Sequence, residues 1–387
     1  MQNFDLYLPT HLVFGKDRIA ELPNLVAGCG KKVLLTYGGG SIKKSGLYDR
    51  VRTLLKDYEI FECAGIEPNP QIASVRRGVE TAKKEGVDFI VAVGGGSVLD
   101  ASKAIAAGAF YDGDPWDLVK DHSKVGKALP IFAVMTLAAT GSEYDAGGVI
   151  SNAETDEKMA IMSGALFPKA AILDPQYTFT VNPWHTAAGA SDILSHTFEQ
   201  YFVMHGNELT DGFCEGMMRT VFKYAPVAVK DPTNYEARAQ LMMASSFGCC
   251  GLLAIGRDPS PWVCHGIEHE VSAYYNVTHG AGLAVITPVW MRYSLNEQTA
   301  PVFANYGVRV WGLDPSEDKM TVANKAIDKT AEFFKSIGMP SRLSEMGVDG
   351  SHFEEMADHV RKVWSDMGTA IRPLGREDIV AILRQSL

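Results

Sequence analysis

Cysteine is scarce and unpatterned in this chain. Six cysteines are spread over 387 residues, Cys249 and Cys250 adjacent and Cys29, Cys63, Cys214 and Cys264 scattered. That is neither the density of a disulfide scaffold nor Cys-x2-Cys metal spacing, so reduced thiols in an intracellular protein are expected. Long apolar runs are missing as well. The longest, Ala128 to Thr140, falls short of the roughly 20 residues that cross a bilayer. The start, Met1-Gln2-Asn3-Phe4-Asp5-Leu6, has no basic stretch leading into an apolar one. Export and membrane insertion are therefore not expected, and a cytoplasmic protein is. Positive charge is in deficit: the net charge is -10 with no basic run, which argues against nucleic acid or anionic membrane as partner and leaves a small molecule as the default. No internal repeat or low-complexity linker appears.

The chain does hold enough apolar residues, 46% of 387, to fill two or three cores at about 150 residues per domain. In the first half, apolar runs end in glycine or turn residues and lead into helix-compatible stretches. Lys32 to Tyr37 runs into Gly38-Gly39-Gly40-Ser41, Phe89 to Val93 into Gly94-Gly95-Gly96-Ser97, Ile131 to Val134 leads to Thr140-Gly141-Ser142-Glu143, and Ala170 to Leu173 ends at Asp174-Pro175. Strands apolar on both sides, alternating with helices, predict a parallel sheet covered on both faces. After Pro183 the periodicity turns helical, as in Ala187 to Met204 and Val322 to Ile337, and β runs largely vanish. The expected division is an α/β dinucleotide-binding domain over 1–180 and an all-helical metal-binding domain over 181–387, packed closely with a cleft between them.

Four residues in the second half have the types and spacing of a divalent-metal site. Asp192 and His196 sit in a stretch that Asn182 can cap and Pro183 can open, and an i, i+4 pair on a helix points one way. His265, His269 and His279 fall within fifteen positions of a chain with ten histidines. Lone Asp-x3-His pairs are usually surface pairs, but buried structural histidines seldom come in threes. Asp192, His196, His265 and His279 form an N3O set suited to one Fe(II) or Zn(II) ion rather than to Mg(II) or Ca(II).

The glycine loops carry the second chemistry. Glycines after a buried strand let the backbone approach a ligand, and the helix after Gly94-Gly95-Gly96-Ser97 directs free N–H groups at an anion such as a pyrophosphate. A tight β-α turn would also explain these glycines, and no Gly-x-Gly-x-x-Gly fingerprint is present. The earlier loop, Tyr37-Gly38-Gly39-Gly40-Ser41-Ile42-Lys43-Lys44, has no acid between Val33 and Leu47 but has serine and two lysines. NADP(H) is accordingly expected over NAD(H), because a 2'-phosphate needs donors and positive charge where a carboxylate would hold the ribose.

Taken together, Gly94-Gly95-Gly96-Ser97-x2-Asp100-x2-Lys103, Thr140-Gly141-Ser142-Glu143, Asp174-Pro175, Asp192-x3-His196-x2-Glu199 and His265-x3-His269-x9-His279-Gly280 resemble the iron-containing (group III) alcohol dehydrogenase family. The resemblance runs from about Phe4 to the carboxyl end. The Tyr37 to Ser41 loop, Gly65 to Pro70 and Thr140 to Glu143 look most like its NADPH-dependent aldehyde reductase and butanol dehydrogenase branch. It implies a Rossmann-like α/β domain before an all-helical domain, as in dehydroquinate synthase, a metal held by Asp192, His196, His265 and His279, and a homodimer. It further implies His269 facing the nicotinamide, Gly94 to Ser97 on the pyrophosphate, and Thr136, Leu137 and Ser142 along the cofactor channel, with Asp100 and Lys158 among the cofactor contacts. Asp145 stands where a neutral residue is expected.

The expected reaction is hydride transfer between the dinucleotide and a small aliphatic aldehyde or primary alcohol, with the metal as Lewis acid. Three neutral imidazoles and one carboxylate would leave the site net positive and favour an oxyanion. His269, one turn from His265, is the nearest non-ligand to supply the proton, and Glu199 reads as a helix-surface or interdomain residue. Phe198, Tyr201, Phe202, Trp262, Tyr274 and Tyr275 predict an apolar lining. A polyol (glycerol-type) dehydrogenase is the nearest alternative. A lyase related to dehydroquinate synthase would need a Lys/Arg cluster where only Arg257 lies close in sequence, and a non-enzymatic metal protein would leave the glycine loops unexplained.

Overall fold

A computed structural model describes residues 1–364 and 367–387. The chain divides into two compact units: Tyr7–Val181 with Pro232–Met242, and Met1–Leu6 with Asn182–Asp231 and Met243–Leu387.

The first unit holds the strands β1 (His11–Phe14), β2 (Lys32–Tyr37), β3 (Glu59–Cys63), β4 (Phe89–Gly94), β5 (Ile131–Met135), β6 (Gly147–Asn152), β7 (Glu157–Met162) and β8 (Ala170–Leu173). Six of them form a parallel sheet in the order β1-β8-β5-β4-β2-β3. The expected parallel sheet is therefore present. Its inner strands are largely apolar because both faces are buried: Val33, Leu35, Val91, Val93 and Val134 enter one core, and Leu34, Ile90, Ala92 and Ala133 the other.

The strand order reverses at β2, which pairs with β3 on one side and β4 on the other. Ligands of open α/β sheets bind beyond the carboxyl ends of the strands at such a reversal. The ends of β2 and β4 are where Gly38–Ser41 and Gly94–Ser97 begin. Two features go beyond the sequence pattern. β3 carries Glu59 and Glu62 and so lacks an apolar run, and β6 and β7 form a separate antiparallel hairpin.

The second unit is helical, and among the described residues no strand follows Leu173. Among the described residues no helix is long and apolar enough to cross a membrane. Its core stacks Phe202 on Phe303 at 4.6 Å, with Phe198 edge-on to Tyr306 at 5.7 Å. This corrects the expected aromatic lining. Phe198, Tyr201 and Phe202 fill that core, Tyr275 hydrogen-bonds Asp349 and Tyr274 packs on His352. Of the six aromatics only Trp262 borders the metal-ligand candidates, edge-on to His265 at 5.4 Å.

Candidate functional site

The helix Pro183–Tyr201 begins where Asn182 Oδ1 accepts a hydrogen bond from His185 N at 2.8 Å and Pro183 takes the first helical position. One face of it then delivers Asp192 and His196, both buried. His265 and His269 come from the helix Val263–Tyr275, and His279 opens the helix His279–Ser294. The structure brings these elements together at one oxygen. The Nε2 atoms of His196, His265 and His279 lie 3.4, 3.5 and 3.7 Å from Asp192 Oδ1.

Those separations are too long for good hydrogen bonds, and Asp192 Oδ1 and His265 Nε2 are buried without hydrogen-bond partners. Donors at about 2.1 Å around a tetrahedral ion stand about 3.4 Å apart. The donor atoms of Asp192, His265 and His279 all lie within 4.8 Å of one another, with His196 Nε2 beside Asp192, and nitrogen and oxygen donors at this spacing fit a small divalent cation of the iron or zinc type. Burial alone would raise the Asp192 carboxyl, but the imidazoles of His196, His279 and His265 hold it well below the usual carboxylate range. Burial lowers His196 to about 3, which keeps it neutral and ready to ligate. His265 is also disfavoured by burial, yet Glu199 and Asp192 outweigh this and raise it to about 9.

Glu199 is not a helix-surface residue. It is 2% exposed, and its Oε1 meets His265 Nδ1 at 2.5 Å while its Oε2 accepts from Cys264 N at 2.7 Å. The latter satisfies a first-turn N–H of the helix that Trp262, in the left-handed region at φ 55°, leaves without a side-chain cap. Glu268, fully buried, bonds His279 Nδ1 through Oε2 and Ser272 Oγ through Oε1. Three carboxylates thus neighbour three imidazoles, and a dication here would not leave the site net positive. That expectation is corrected. Glu268 went unnoticed in the sequence, although its place between His265 and His269 was a signal. His269 is 3% exposed, with its ring 5.4 Å from that of His279 and 5.2 Å from Trp364.

In the α/β unit the two glycine loops differ. A Cβ on Gly94 would meet Val98 of the following helix at 2.5 Å, while one on Gly95 or Gly96 would meet Leu137 at 3.1 Å or Thr140 at 2.4 Å, so the last two glycines admit the segment that follows β5. Thr136 N donates to Gly94 O at 2.9 Å in the same contact. Above them the helix Gly96–Gly108 starts with no side-chain cap, which leaves its N–H end available to an anion. Around Gly39 and Gly40 a Cβ would meet nothing within 4 Å, and Gly40 requires the left-handed region at φ +108°. Ser41 follows as the first residue of a helical turn.

Asp100 hydrogen-bonds Ser142 Oγ at 2.7 Å and Val149 N at 3.0 Å; burial raises it to about 6 despite nearby Lys103. Lys103, fully buried, donates to Ser142 O, Asp145 O, Asp145 Oδ1 and Gly147 O. Asp145 is therefore the partner of Lys103. Lys158 is buried on β7 opposite Ser151.

An acid does reach the first loop, from the neighbouring strand. Glu62 on β3 accepts from Tyr37 Oη at 2.5 Å, Tyr48 Oη at 2.6 Å and Arg52 at 3.0 Å. Lys43 lies over the Tyr37 and Tyr48 rings at 5.0 and 4.7 Å.

A parallel sheet with glycine loops at its reversal, and a buried cluster of one aspartate and three histidines on helices, are the parts of a metal- and nicotinamide-dependent dehydrogenase. The chain belongs to the iron-containing alcohol dehydrogenase family, whose profile matches residues 9–175, with its C-terminal profile matching residues 186–387. It is an oxidoreductase of alcohols and aldehydes. Among its relatives, NADH-dependent butanol dehydrogenase A of Clostridium acetobutylicum is 47% identical, with both chains fully covered. NADPH-dependent aldehyde reductase YqhD of Escherichia coli is 39% identical over 91% of each chain. The crystal structure of NADH-dependent butanol dehydrogenase A from Thermotoga maritima superposes with a TM-score of 0.95 at 38% identity, covering 100% of this chain and 99% of that one.

Proposed function

We propose that the protein reduces small aliphatic aldehydes to primary alcohols, and runs the reverse reaction, with NADP(H) preferred over NAD(H) and one Fe(II) or Zn(II) ion per chain. The observation that carries the reading is the convergence of three Nε2 atoms on Asp192 Oδ1, within 3.7 Å. When bound, a divalent ion there supplies Lewis acidity toward a carbonyl oxygen, and the nicotinamide supplies the hydride.

The chain's own residues do the rest. Asp192, His196, His265 and His279 hold the ion. The N–H end of Gly96–Gly108 binds the pyrophosphate, and Asp100 and Lys103 fix the Thr136–Ser142 segment over Gly94–Gly96 so that Thr136, Leu137 and Ser142 keep their places along the cofactor. His269, not a ligand, delivers the proton to the product oxygen. Trp262 shields the His196 and His265 rings from water. Ser41 and Lys43 are the donors for a 2'-phosphate, and Lys158 is a further cofactor contact.

NAD(H) is the second reading for the cofactor. It is favoured by the names of two relatives and by Glu62, which occupies the next strand about twenty residues after the glycine loop, where a ribose-binding acid commonly stands. Against it, the Glu62 oxygens are already used by Tyr37, Tyr48 and Arg52. The polyol alternative is disfavoured by four convergent protein donors. A phosphorylated lyase substrate is disfavoured because Arg257 is 3% exposed and committed to Asp211, Thr210 and Gln200. β1 forms an outer strand of the sheet, and a homodimer pairing the amino-terminal segments is the proposed assembly.

The test is elemental analysis of chelator-free protein together with oxidation of NADPH and NADH by butanal. One iron or zinc per chain and aldehyde-dependent oxidation are expected. Asp192→Ala, His265→Ala and His279→Ala should each lose most of the metal and nearly all activity while the dinucleotide still binds. Full occupancy and normal turnover in any two of them would remove the assignment.

A further inference from the structure

We propose that Glu199 and Glu268 are positioning residues of the metal centre, each fixing one imidazole so that its Nε2 lone pair faces Asp192. The proposal deepens the metal reading above and rests on it. Neither residue touches the position of the ion; each acts through a histidine.

The geometry is the same twice over. Glu199 Oε1 meets His265 Nδ1 at 2.5 Å, and Glu268 Oε2 bonds His279 Nδ1. A neutral imidazole, the form that ligates a metal, presents Nε2 as its unprotonated atom when its Nδ1–H is donated to a carboxylate. Those two Nε2 atoms lie 3.5 and 3.7 Å from Asp192 Oδ1. Both carboxylates are themselves held. Glu199 takes Cys264 N at 2.7 Å and Ser195 Oγ at 3.2 Å, and Glu268 takes Ser272 Oγ at 2.5 Å. Gly282 leaves room for this, since a Cβ there would sit 2.8 Å from Glu268 Cγ.

His196 differs. Its Nδ1 is buried with no hydrogen-bond partner among the described residues, and its ring is placed by stacking on His265, with centroids 4.6 Å apart and planes 12° apart. Burying two carboxylates beside a cation costs free energy unless the charges compensate. A dication ligated by the two imidazoles supplies that compensation, and partners of this kind also raise the basicity of the ligands they hold. Glu268, His269 and His279 also lie close enough to form a donor set of their own. The Glu268 bond to Nδ1 instead makes it a support for His279.

The experiment compares wild type with Glu268→Gln, Glu268→Ala, Glu199→Gln and Glu270→Gln. Glu270 is an equally buried carboxylate on the same helix, and it pairs with His359 at 2.8 Å. Metal affinity is read by competition with a chelator, and ligand geometry by the visible spectrum of the Co(II)-loaded folded protein. We expect one ion per wild-type chain, with Kd raised about 10- to 100-fold in Glu268→Ala. The two Gln variants, which keep a neutral acceptor and nearly the same shape, should show smaller increases. Their cobalt spectra should shift, and Glu270→Gln should match wild type.

Wild-type affinity and spectrum in Glu268→Ala and Glu199→Gln would overturn the proposal while leaving the metal reading intact. A wild type that binds two ions and loses one on Glu268→Ala would make Glu268 a ligand and also overturn it. A wild-type chain that takes up no Zn(II), Fe(II) or Co(II) would overturn both.

Discussion

Gly280 lies against the backbone of Ala188: a Cβ on Gly280 would stand 1.9 Å from Ala188 O. Ala188 is one turn before Asp192, and Gly280 follows His279. At this point the helix that carries Asp192 and the helix that His279 opens come as near as their backbones allow. The smallest side chain is therefore required next to a metal-ligand candidate for a reason of packing.

Gly280→Ala should accordingly act on both fold and site. The methyl cannot be accommodated without separating the two helices, which costs at least the 1–3 kcal/mol typical of overpacking. We expect a lower urea midpoint and a lower metal content than wild type. A variant with unchanged midpoint and full metal would show that the helices are not held by this contact.

His269→Ala should keep its metal and lose rate. If the imidazole carries the proton, kcat should drop on the order of 10²-fold and the alkaline limb of the pH profile should move or vanish. Metal content and kcat against pH on one preparation separate this from a supporting role, which would lower metal affinity and leave the profile's shape alone.

Gly39→Asp tests the cofactor loop at a position where a side chain meets nothing within 4 Å. The new carboxylate should repel a 2'-phosphate and shift the kcat/KM ratio from NADPH toward NADH by about tenfold or more, since about 1.4 kcal/mol gives that factor. A ratio that stays put, or a wild type equally active with NADH, would show that this loop does not read the 2' position.

The pH dependence of stability should carry the mark of Asp100, raised by burial from 3.8 to about 6. The folded state then holds its proton more tightly than the unfolded state. This group's contribution to stability is fully present below pH 3.8 and is lost as pH rises through about 6. The difference in unfolding free energy between wild type and Asp100→Asn should therefore shrink from pH 4 to pH 7 and be flat above. Urea titrations at several pH values measure it; a difference that grows with pH would contradict the assigned direction.

Local patterns carried much of this protein. The strands β2, β4, β5 and β8 were legible because a strand buried on both faces must be apolar throughout. The pairing of Asp192 with His196 was legible because i, i+4 geometry belongs to the helix itself and Asn182 and Pro183 mark its start. β3 was not legible, since Glu59 and Glu62 interrupt its apolar character and its place beside β2 comes from sheet pairing.

What the tertiary structure alone decided is who meets whom across elements. His265 and His279 reach Asp192 Oδ1 because helix packing, tightened at Gly280 and Ala188, sets distances that no spacing in the chain encodes. Glu199 meets His265, and Glu268 meets His279, for the same reason. Along the chain Glu199 reads as a helix-surface or interdomain residue, and Glu268 is marked only by its place between His265 and His269. Only the fold shows that they are buried and partnered, because the free energy of a buried carboxylate depends on the groups around it, and those groups come from other helices.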